Sequence, residues 1–575
     1  MKRRFLVLFS VLLVASLLLA ACAKPAPTQA PAAPGATDAP AVTEPPAAAK
    51  PLEITLAFRV VDRAYLPSPD KVAQEIQAQL SEVGIKVTLK EMESTAFIDA
   101  TAAGQEGFYL LGWNADYPDA TNFYDYHFAT NENMQFGTLY SDMAKAIRDA
   151  GKLSDPVARQ VIYDEINQML KDYLVMIPVA NGGSSTVFAA DVEGAHSSPL
   201  GNEVFSVMSN GTDTLVWMQN GEPNALWCAD ETDGETLRAC EQVYEPLLAF
   251  EVGGTDVIPA LAESYAANDT LDEWTFTLRE GVTFHNGASF EANDVVATYV
   301  SLWDASSPNH TGRTGQFEYF GGFFGAPINT EGVEAELEDT DDLLSMTAPS
   351  CDYGGEFASI TAVDARTVKF TLCYPDPAFP SKVAFSVFSI LDKDHLDLTA
   401  GDSVAISDNS NGTGPYIVRQ WNRGDSVVFD ANPNYWGEAA KTATLIFRWS
   451  EQSAQRLLEL QAGTVDGIDN PGPDDIASIE ADANLALFPR NGFNIFYIGF
   501  NHDIAPFDNL LVRQAVTFAI DRARIVDQYY PVGSSVSDSF VPAFVYPGAS
   551  PNVPWWPYDP EKAKELLVEA GYAVP

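Results

Sequence analysis

Residues 558–575, YDPEKAKELLVEAGYAVP, constrain the fold more tightly than any other stretch of the chain. Asp559 can cap a helix whose first residue is Pro560, and Gly571 can close it. Between them Ala563, Leu566, Leu567 and Ala570 fall on one face at i, i+3, i+4 and i+7. A helix that is apolar on one face has to be covered by another layer, and in α/β chains that layer is the strand that follows. Four residues follow Gly571 in this sequence, with no strand pattern among them. At the other end, LEITLAF (52–58) sets Leu52, Ile54, Leu56 and Phe58 on one face. A helix carrying Val72, Ile76, Leu80 and Val83 follows, Gly84 stops it, and IKVTLKEM is the next strand. This is βαβ grammar.

The rest of the chain changes style. GFYLLGWNAD reads as a buried strand entering a loop, and long helical patterns at 155–173 and 509–528 extend the α/β character. Between about 212 and 449, short strand patterns such as TLVWMQNG, EWTFTLREG, TVKFTLCY and DSVVFDANP are punctuated by glycine, asparagine and aspartate. A mixed sheet with excursions fits this better than repeated βαβ units. The segment 315–359, rich in glycine, phenylalanine and acids, has no period that assigns it an element. With 575 residues and 46% apolar content, the chain is long enough for several cores. Its 79 acids against 33 bases give a net charge of −46, a field that repels nucleic acid and anionic lipid surfaces.

Lys2, Arg3 and Arg4 precede an apolar run at 5–19, followed by Ala20, Ala21 and Cys22, the pattern of a secretory signal. LLAAC resembles the bacterial lipobox, in which the cysteine becomes the lipidated first residue of the mature protein. The Pro/Ala-rich stretch 23–51 then reads as an extended tether holding the protein to the outer face of the cytoplasmic membrane. With Cys22 lipidated, Cys228, Cys240, Cys351 and Cys373 remain, an even number that suggests two disulfides outside the cytoplasm. Three pairings are possible, and proximity favours Cys228–Cys240 and Cys351–Cys373. A zinc site is the rival, but no cysteine has C-x-x-C spacing or a histidine nearby.

Catalytic signatures are missing from the sequence. The six histidines form no H-E-x-x-H, and there is no G-x-S-x-G elbow, phosphate loop or G-x-G-x-x-G after a strand. Recognition has more support: GWNADYPDATNF (112–123) gathers aromatics and carboxylates at a strand end, where α/β proteins bind small ligands.

Several separate stretches carry a family resemblance. WTFTLREGVTFHNGASFEANDVVATY (274–299), NGTGPYIVRQWNRGDSVVFDANPNYWG (411–437), QRLLELQAGTVDGID, FNHDIAPFDNLLVRQAVTFAIDR and YDPEKAKELLVEAGY are similar to bacterial solute-binding proteins of the dipeptide/oligopeptide/nickel class, family 5, which serve ABC importers. TLVWMQNGEPNALW resembles that family's first mature strand, and VYEPLLAFE its next helix and turn. The order differs from the family's. The pieces that should follow the terminal helix stand at 52–123, and the family's usual tail, like 176–201, directly precedes its usual beginning. Each piece occurs once and in cyclic order, as in a circular permutation with the old ends joined around 202–213. This order implies that the helix at 560–570 packs beside the strand 52–58, with Pro575 close to Leu52.

The resemblance implies a two-lobe α/β fold of the type II periplasmic-binding-protein kind, closing on ligand by a hinge. Residues 1–22 would be the signal, 23–51 the tether, 52–176 and 491–575 lobe II, and 177–490 lobe I with an extra subdomain near 285–398. It implies a monomeric receptor for small peptides that delivers them to a membrane-embedded ABC permease, with no cofactor, metal, catalysis or nucleic-acid partner. Alternatives are a nickel-chelate or sugar receptor of the same fold, and less readily a tethered hydrolase or degenerate surface protein. By local match, Asp116 falls where family members hold the peptide ammonium and Arg63 where they hold its carboxylate. Such charge-assisted pairs fix both ends of a zwitterion. Trp113, Tyr117 and Asp119 are expected in the pocket wall. The family's loop has proline where this chain has Ala120. Lobe I contacts are expected within NGEPNALW and around Tyr416.

Overall fold

A computed structural model describes residues 50–61, 63–129, 133–311 and 317–575. The signal, Cys22 and all of the tether except its last residues lie outside them. The strand Glu53–Arg59 and its neighbour Lys86–Met92 run parallel, in register from Glu53 opposite Lys86 to Arg59 opposite Met92. The helix Pro69–Glu82 joins them and buries Val72, Ala73, Ile76 and Leu80 against the sheet. On the other side of Glu53–Arg59 lies Phe108–Asn114. The next strand inward, Asn494–Phe500, is antiparallel to it and comes from the far end of the sequence. Beyond it stand Met176–Asn181 and the short Ser535–Val536. All of Asn494–Phe500 is buried, which fits its place in the middle of this six-stranded sheet.

The terminal helix, Pro560–Glu569, belongs to the same layer. The Asp559 carboxylate accepts from the Lys562 amide at 2.9 Å, and Ala563, Leu566 and Leu567 are buried. After it the chain turns back. The Ala573 amide donates to the Lys50 carbonyl at 3.0 Å, and Pro575 lies against Gly84, where an added Cβ would fall 2.6 Å from its Cδ. One core runs from Leu52 through Ala180 and resumes from Phe493 to Leu567.

Lobe I is built on a seven-stranded mixed sheet in the order Tyr416–Asn422, Ser426–Ala431, Thr444–Trp449, Thr214–Gln219, Gly467–Asp469, Ser184–Ala189 and Leu485–Arg490. A second, antiparallel sheet comprises Leu337–Thr340, Leu343–Thr347, Phe357–Asp364, Thr367–Leu372, Glu273–Leu278 and Ala262–Ala267, covered by the helix Ala292–Trp303. This sheet starts at Ala262 rather than near 285, because EWTFTL pairs with TVKFTL across the subdomain (Trp274 opposite Phe370). The cysteines pair as Cys228–Cys240 and Cys351–Cys373, with Cα separations of 5.9 and 5.4 Å.

Two short segments connect the lobes. One runs from Asn181 through Gly182 and Gly183 to Ser184, so lobe II extends to the end of the strand Met176–Asn181 and not only to residue 176. The other leads from Arg490 to Asn494. They are laced side by side: the Asn181 amide donates to the Asn494 carbonyl at 2.6 Å, and the Asn494 amide to the Gly182 carbonyl at 2.7 Å. A Cβ on Gly182 would sit 1.8 Å from the Ala64 carbonyl oxygen, and one on Gly492 would sit 2.4 Å from that of Gly182. Only glycine lets these backbones pass so closely.

A buried ionic cluster anchors the lobe I side of this crossing. Arg490, the last residue of its strand, reaches Asp469 Oδ1 at 3.1 Å and Ser184 Oγ at 3.0 Å, and pairs with Glu203. Glu203 also accepts from Arg238 Nε at 3.1 Å and from the Ser198 amide at 3.1 Å, while Arg238 Nη2 meets Asp469 at 3.1 Å. Two guanidinium groups and two carboxylates thus balance away from water.

Candidate ligand-binding site

Phe108–Asn114 delivers its C-terminal end to the space between the lobes, and the following loop is fastened by one side chain. Asn122 Oδ1 accepts from Trp113 Nε1 at 3.0 Å and from the Asp116 amide at 3.2 Å, while its amide group donates to Asp116 Oδ2 at 3.1 Å. Trp113 and Asp116 are therefore held in fixed relation. Tyr117 crosses to lobe I: its ring packs edge-on at 4.9 Å against Phe323 and joins the lobe I core. Its hydroxyl lies 3.2 Å from Thr121 Oγ1.

Asp119 does not line the cavity, contrary to expectation. Its carboxylate is gripped from inside lobe II by Arg159, at 2.9 and 2.7 Å, and caps the next helix through Thr121 at 2.9 Å. The second acid of the loop shapes the backbone and leaves the first to face the ligand space. Tyr416 and the NGEPNALW stretch are also absent from the cavity wall. Tyr416 is buried with its hydroxyl 3.0 Å from Thr442, and Glu222 is bonded to Trp421. Lobe I contributes instead Tyr319 and Phe323, from the segment that sequence periodicity could not assign, together with Tyr374, Asp376 and Lys382.

The cleft has two chambers that share Trp113, Asp116, Tyr126 and Glu318. The larger, about 780 Å³, lies toward lobe I and carries Tyr117, Asp125 and Lys382. The smaller, about 450 Å³, lies in lobe II and carries Arg63, Arg59, Tyr65 and His127. Arg63 is exposed within a two-residue turn in which its backbone and that of Leu66 bond at 2.9 and 3.1 Å, and its guanidinium forms no ion pair among the described residues. Arg59 stands beside it, bonded to Ser94 Oγ at 2.8 Å and Tyr65 OH at 3.1 Å. Sequence reasoning missed Arg59, although its place at the end of LEITLAFR signalled it.

The electrostatics are those of a recognition site. Burial raises the Asp116 carboxyl to about 6, against hydrogen bonds from Asn122 and Tyr319. The protein packed around Asp125 likewise shifts its carboxyl upward although the residue still meets solvent; Lys382 and Arg159 oppose this, and Asp119 and Asp376 reinforce it. Lys382 is 7% exposed, with its ammonium 2.8 Å from Glu356 and 2.7 Å from Asp376. Burial and the neighbouring Asp376 push the Glu356 carboxyl well up despite Lys382. Asp376 is held low by Lys382 despite its own burial, so this triad is internally neutral. His127, its ring bonded to the Phe123 carbonyl at 2.8 Å, is lowered to about 4 by burial and is neutral.

The sequence model described as "Bacterial extracellular solute-binding proteins, family 5 Middle" matches residues 34–135 and 256–574. Heme-binding protein A of Haemophilus influenzae is 29% identical over 398 residues, 68% of this chain and 68% of that protein. The dipeptide-binding protein of Escherichia coli K12 is 30% identical over 367 residues, covering 62% and 63%. Among solved structures, HbpA2 from Haemophilus parasuis is similar with a TM-score of 0.53 and 31% identity, over 62% of this chain and 67% of that one. The matched region thus spans about two thirds of each relative's length.

Proposed function

Because the chain belongs to the bacterial extracellular solute-binding proteins of family 5, which are transport receptors and not enzymes, we propose that it captures small peptides between its lobes and hands them to an ABC permease. The observation that carries this reading is the opposition of charge across one cleft. Asp116 stands at the junction of two chambers, and Arg63 lines the smaller one with no ion pair among the described residues. A peptide's α-ammonium would pair with Asp116 and its carboxylate with Arg63, with Arg59 alongside. Pairing both ends only in the closed state gives the ligand the differential affinity that shifts an open–closed equilibrium. The names of several relatives, including di- and tripeptide-binding proteins of Pseudomonas aeruginosa, support the peptide class.

Denaturing mass spectrometry of whatever co-purifies, followed by calorimetry with di- to pentapeptides, tests the reading. Peptide in the bound fraction and saturable peptide binding are expected; binding of a sugar or chelate with no peptide binding would sink it. Arg63→Ala should weaken free-carboxylate dipeptides far more than their amides, and equal losses would remove Arg63 from the carboxylate role.

Two finer features belong to the same proposal. Cys22 carries lipid and residues 23–51 tether the receptor, so Cys22→Ala should release the protein from the membrane fraction. The segment order is a circular permutation of the family's. The motif order supports this, as do the insertion of Asn494–Phe500 between Phe108–Asn114 and Met176–Asn181 and the Ala573–Lys50 hydrogen bond. Peptide mapping of the protein isolated from its source should find fragments running unbroken through 190–220. A fragment joining 560–575 directly to 50–60 would overturn the permutation.

A further inference from the structure

Resting on the peptide reading, a second question concerns what the larger chamber is for. Asp116 and Arg63 account for the two ends of a peptide backbone, yet the chamber beyond Asp116 holds another carboxylate. Asp125 opens the π-helical turn Asp125–Ala129 and lines this chamber; its backbone amide donates to the Thr121 carbonyl, while its carboxylate makes neither a hydrogen bond nor an ion pair among the described residues. The cations that act on it are already engaged. Lys382 is held by Glu356 and Asp376 at 2.8 and 2.7 Å, and Arg159 is held by Asp119 at 2.7 Å. Arg148 and Lys152 are exposed, and Arg148 donates to the Ala129 carbonyl at 2.8 Å. Glu318, also exposed, adds further negative charge.

The rest of the wall suits a cation too. Tyr319, Phe323 and Tyr374 line the chamber, and the negative faces of such rings attract ammonium and guanidinium groups. Asp125 is exposed to this chamber, and closure of the lobes over a ligand would desolvate its carboxylate, a cost that a ligand cation relieves. An apolar side chain placed there would leave Asp125 unpaired in a closed cleft.

We propose that Asp125 selects the side chain of the peptide's first residue, and that the preferred ligands begin with lysine or arginine: the α-ammonium on Asp116, the side-chain cation on Asp125 and the carboxylate on Arg63. Asp125 is thus a specificity residue, separate from the pair that fixes the backbone.

Calorimetry with Lys-Ala, Arg-Ala, norleucyl-Ala and Ala-Ala decides the matter. Norleucine keeps the aliphatic length of lysine and removes only the charge. The wild-type protein should bind Lys-Ala and Arg-Ala about tenfold or more tighter than norleucyl-Ala, as expected for a desolvated charge pair. The isosteric Asp125→Asn change should abolish most of that ratio and leave norleucyl-Ala within about threefold of its wild-type affinity. Equal wild-type binding of Lys-Ala and norleucyl-Ala, or a ratio unchanged by Asp125→Asn, overturns the side-chain selection while leaving the peptide reading intact. Failure of all four dipeptides to bind overturns the peptide reading and this inference with it.

Discussion

Replacing Glu203 with glutamine removes one charge from the buried cluster beside the lobe crossing, and its cost can be worked out in two ways. Burial alone would raise the Glu203 carboxyl, but Arg490 and Arg238 outweigh it and hold the group at about 2, against 4.5 ordinarily. The side chain has no solvent exposure, so the shift needs no correction for screening. It corresponds to about 3 kcal/mol of folding stability. Independently, leaving one of the two buried guanidinium groups uncompensated costs about 3–5 kcal/mol. The folded-state pKa is depressed, so the contribution is complete above the unfolded value near 4.5 and is lost as pH falls toward 2. Urea unfolding followed by circular dichroism should therefore show Glu203→Gln about 3 kcal/mol less stable at pH 6, with the gap closing as pH approaches 2. Adding Arg490→Met leaves Arg238 and Asp469 as one balanced pair and should restore about 1 kcal/mol or more. A gap that stays constant from pH 6 to 2, with no gain from the second change, would show that packing and not charge sets the loss.

Three further outcomes are expected. Affinity for basic dipeptides should rise from pH 5 to 7, because Asp116, raised to about 6, binds the α-ammonium only once ionised and the upward shift of Asp125 acts in the same direction; a flat calorimetric profile over that range would contradict it. Gly182→Ala forces a Cβ onto the Ala64 carbonyl and should cost about 1–3 kcal/mol in thermal unfolding as well as weaken ligand binding, whereas an unchanged melting point and affinity would show that the crossing has slack. Replacing Cys351 and Cys373 together by alanine opens a loop of sequence separation 22 and should cost about 3 kcal/mol in urea unfolding, with ligand affinity retained.

The sequence made local elements legible and left their distant partners hidden. The helix Pro560–Glu569 announced itself through Asp559, Pro560 and its apolar stripe, because cap and periodicity are short-range signals. The pair Glu53–Arg59 and Lys86–Met92 was equally plain, and so were the short disulfide loops. The carboxylate pattern of the GW loop could not say which acid faced the cavity, since the partner that claims Asp119 is Arg159, on a separate helix. Tyr319 and Phe323 escaped for another reason. They lie in a glycine- and phenylalanine-rich stretch whose rings pack mainly on one another and on Phe385 and Phe388, so no period of 2 or 3.6 marks them. Likewise, 202–213, expected as a junction between the family's old ends, carries Glu203 and Phe205 deep into lobe I, which composition alone does not signal.

Until residue 500 has been synthesised, lobe II is a sheet with its middle missing. Phe108–Asn114 and Met176–Asn181 have been made, but Asn494–Phe500, the strand that separates and pairs with both, emerges only after the whole of lobe I. Two largely apolar strands are left with unpaired edges throughout that interval, the kind of edge that other chains can join. Lobe I, continuous from Ser184 to Arg490, has every strand of its sheets in hand and can close first. The strand order along the chain thus sets an order of assembly: the lobe whose strands come first is the last to have all of them, and the site at its strand ends comes into being only with it.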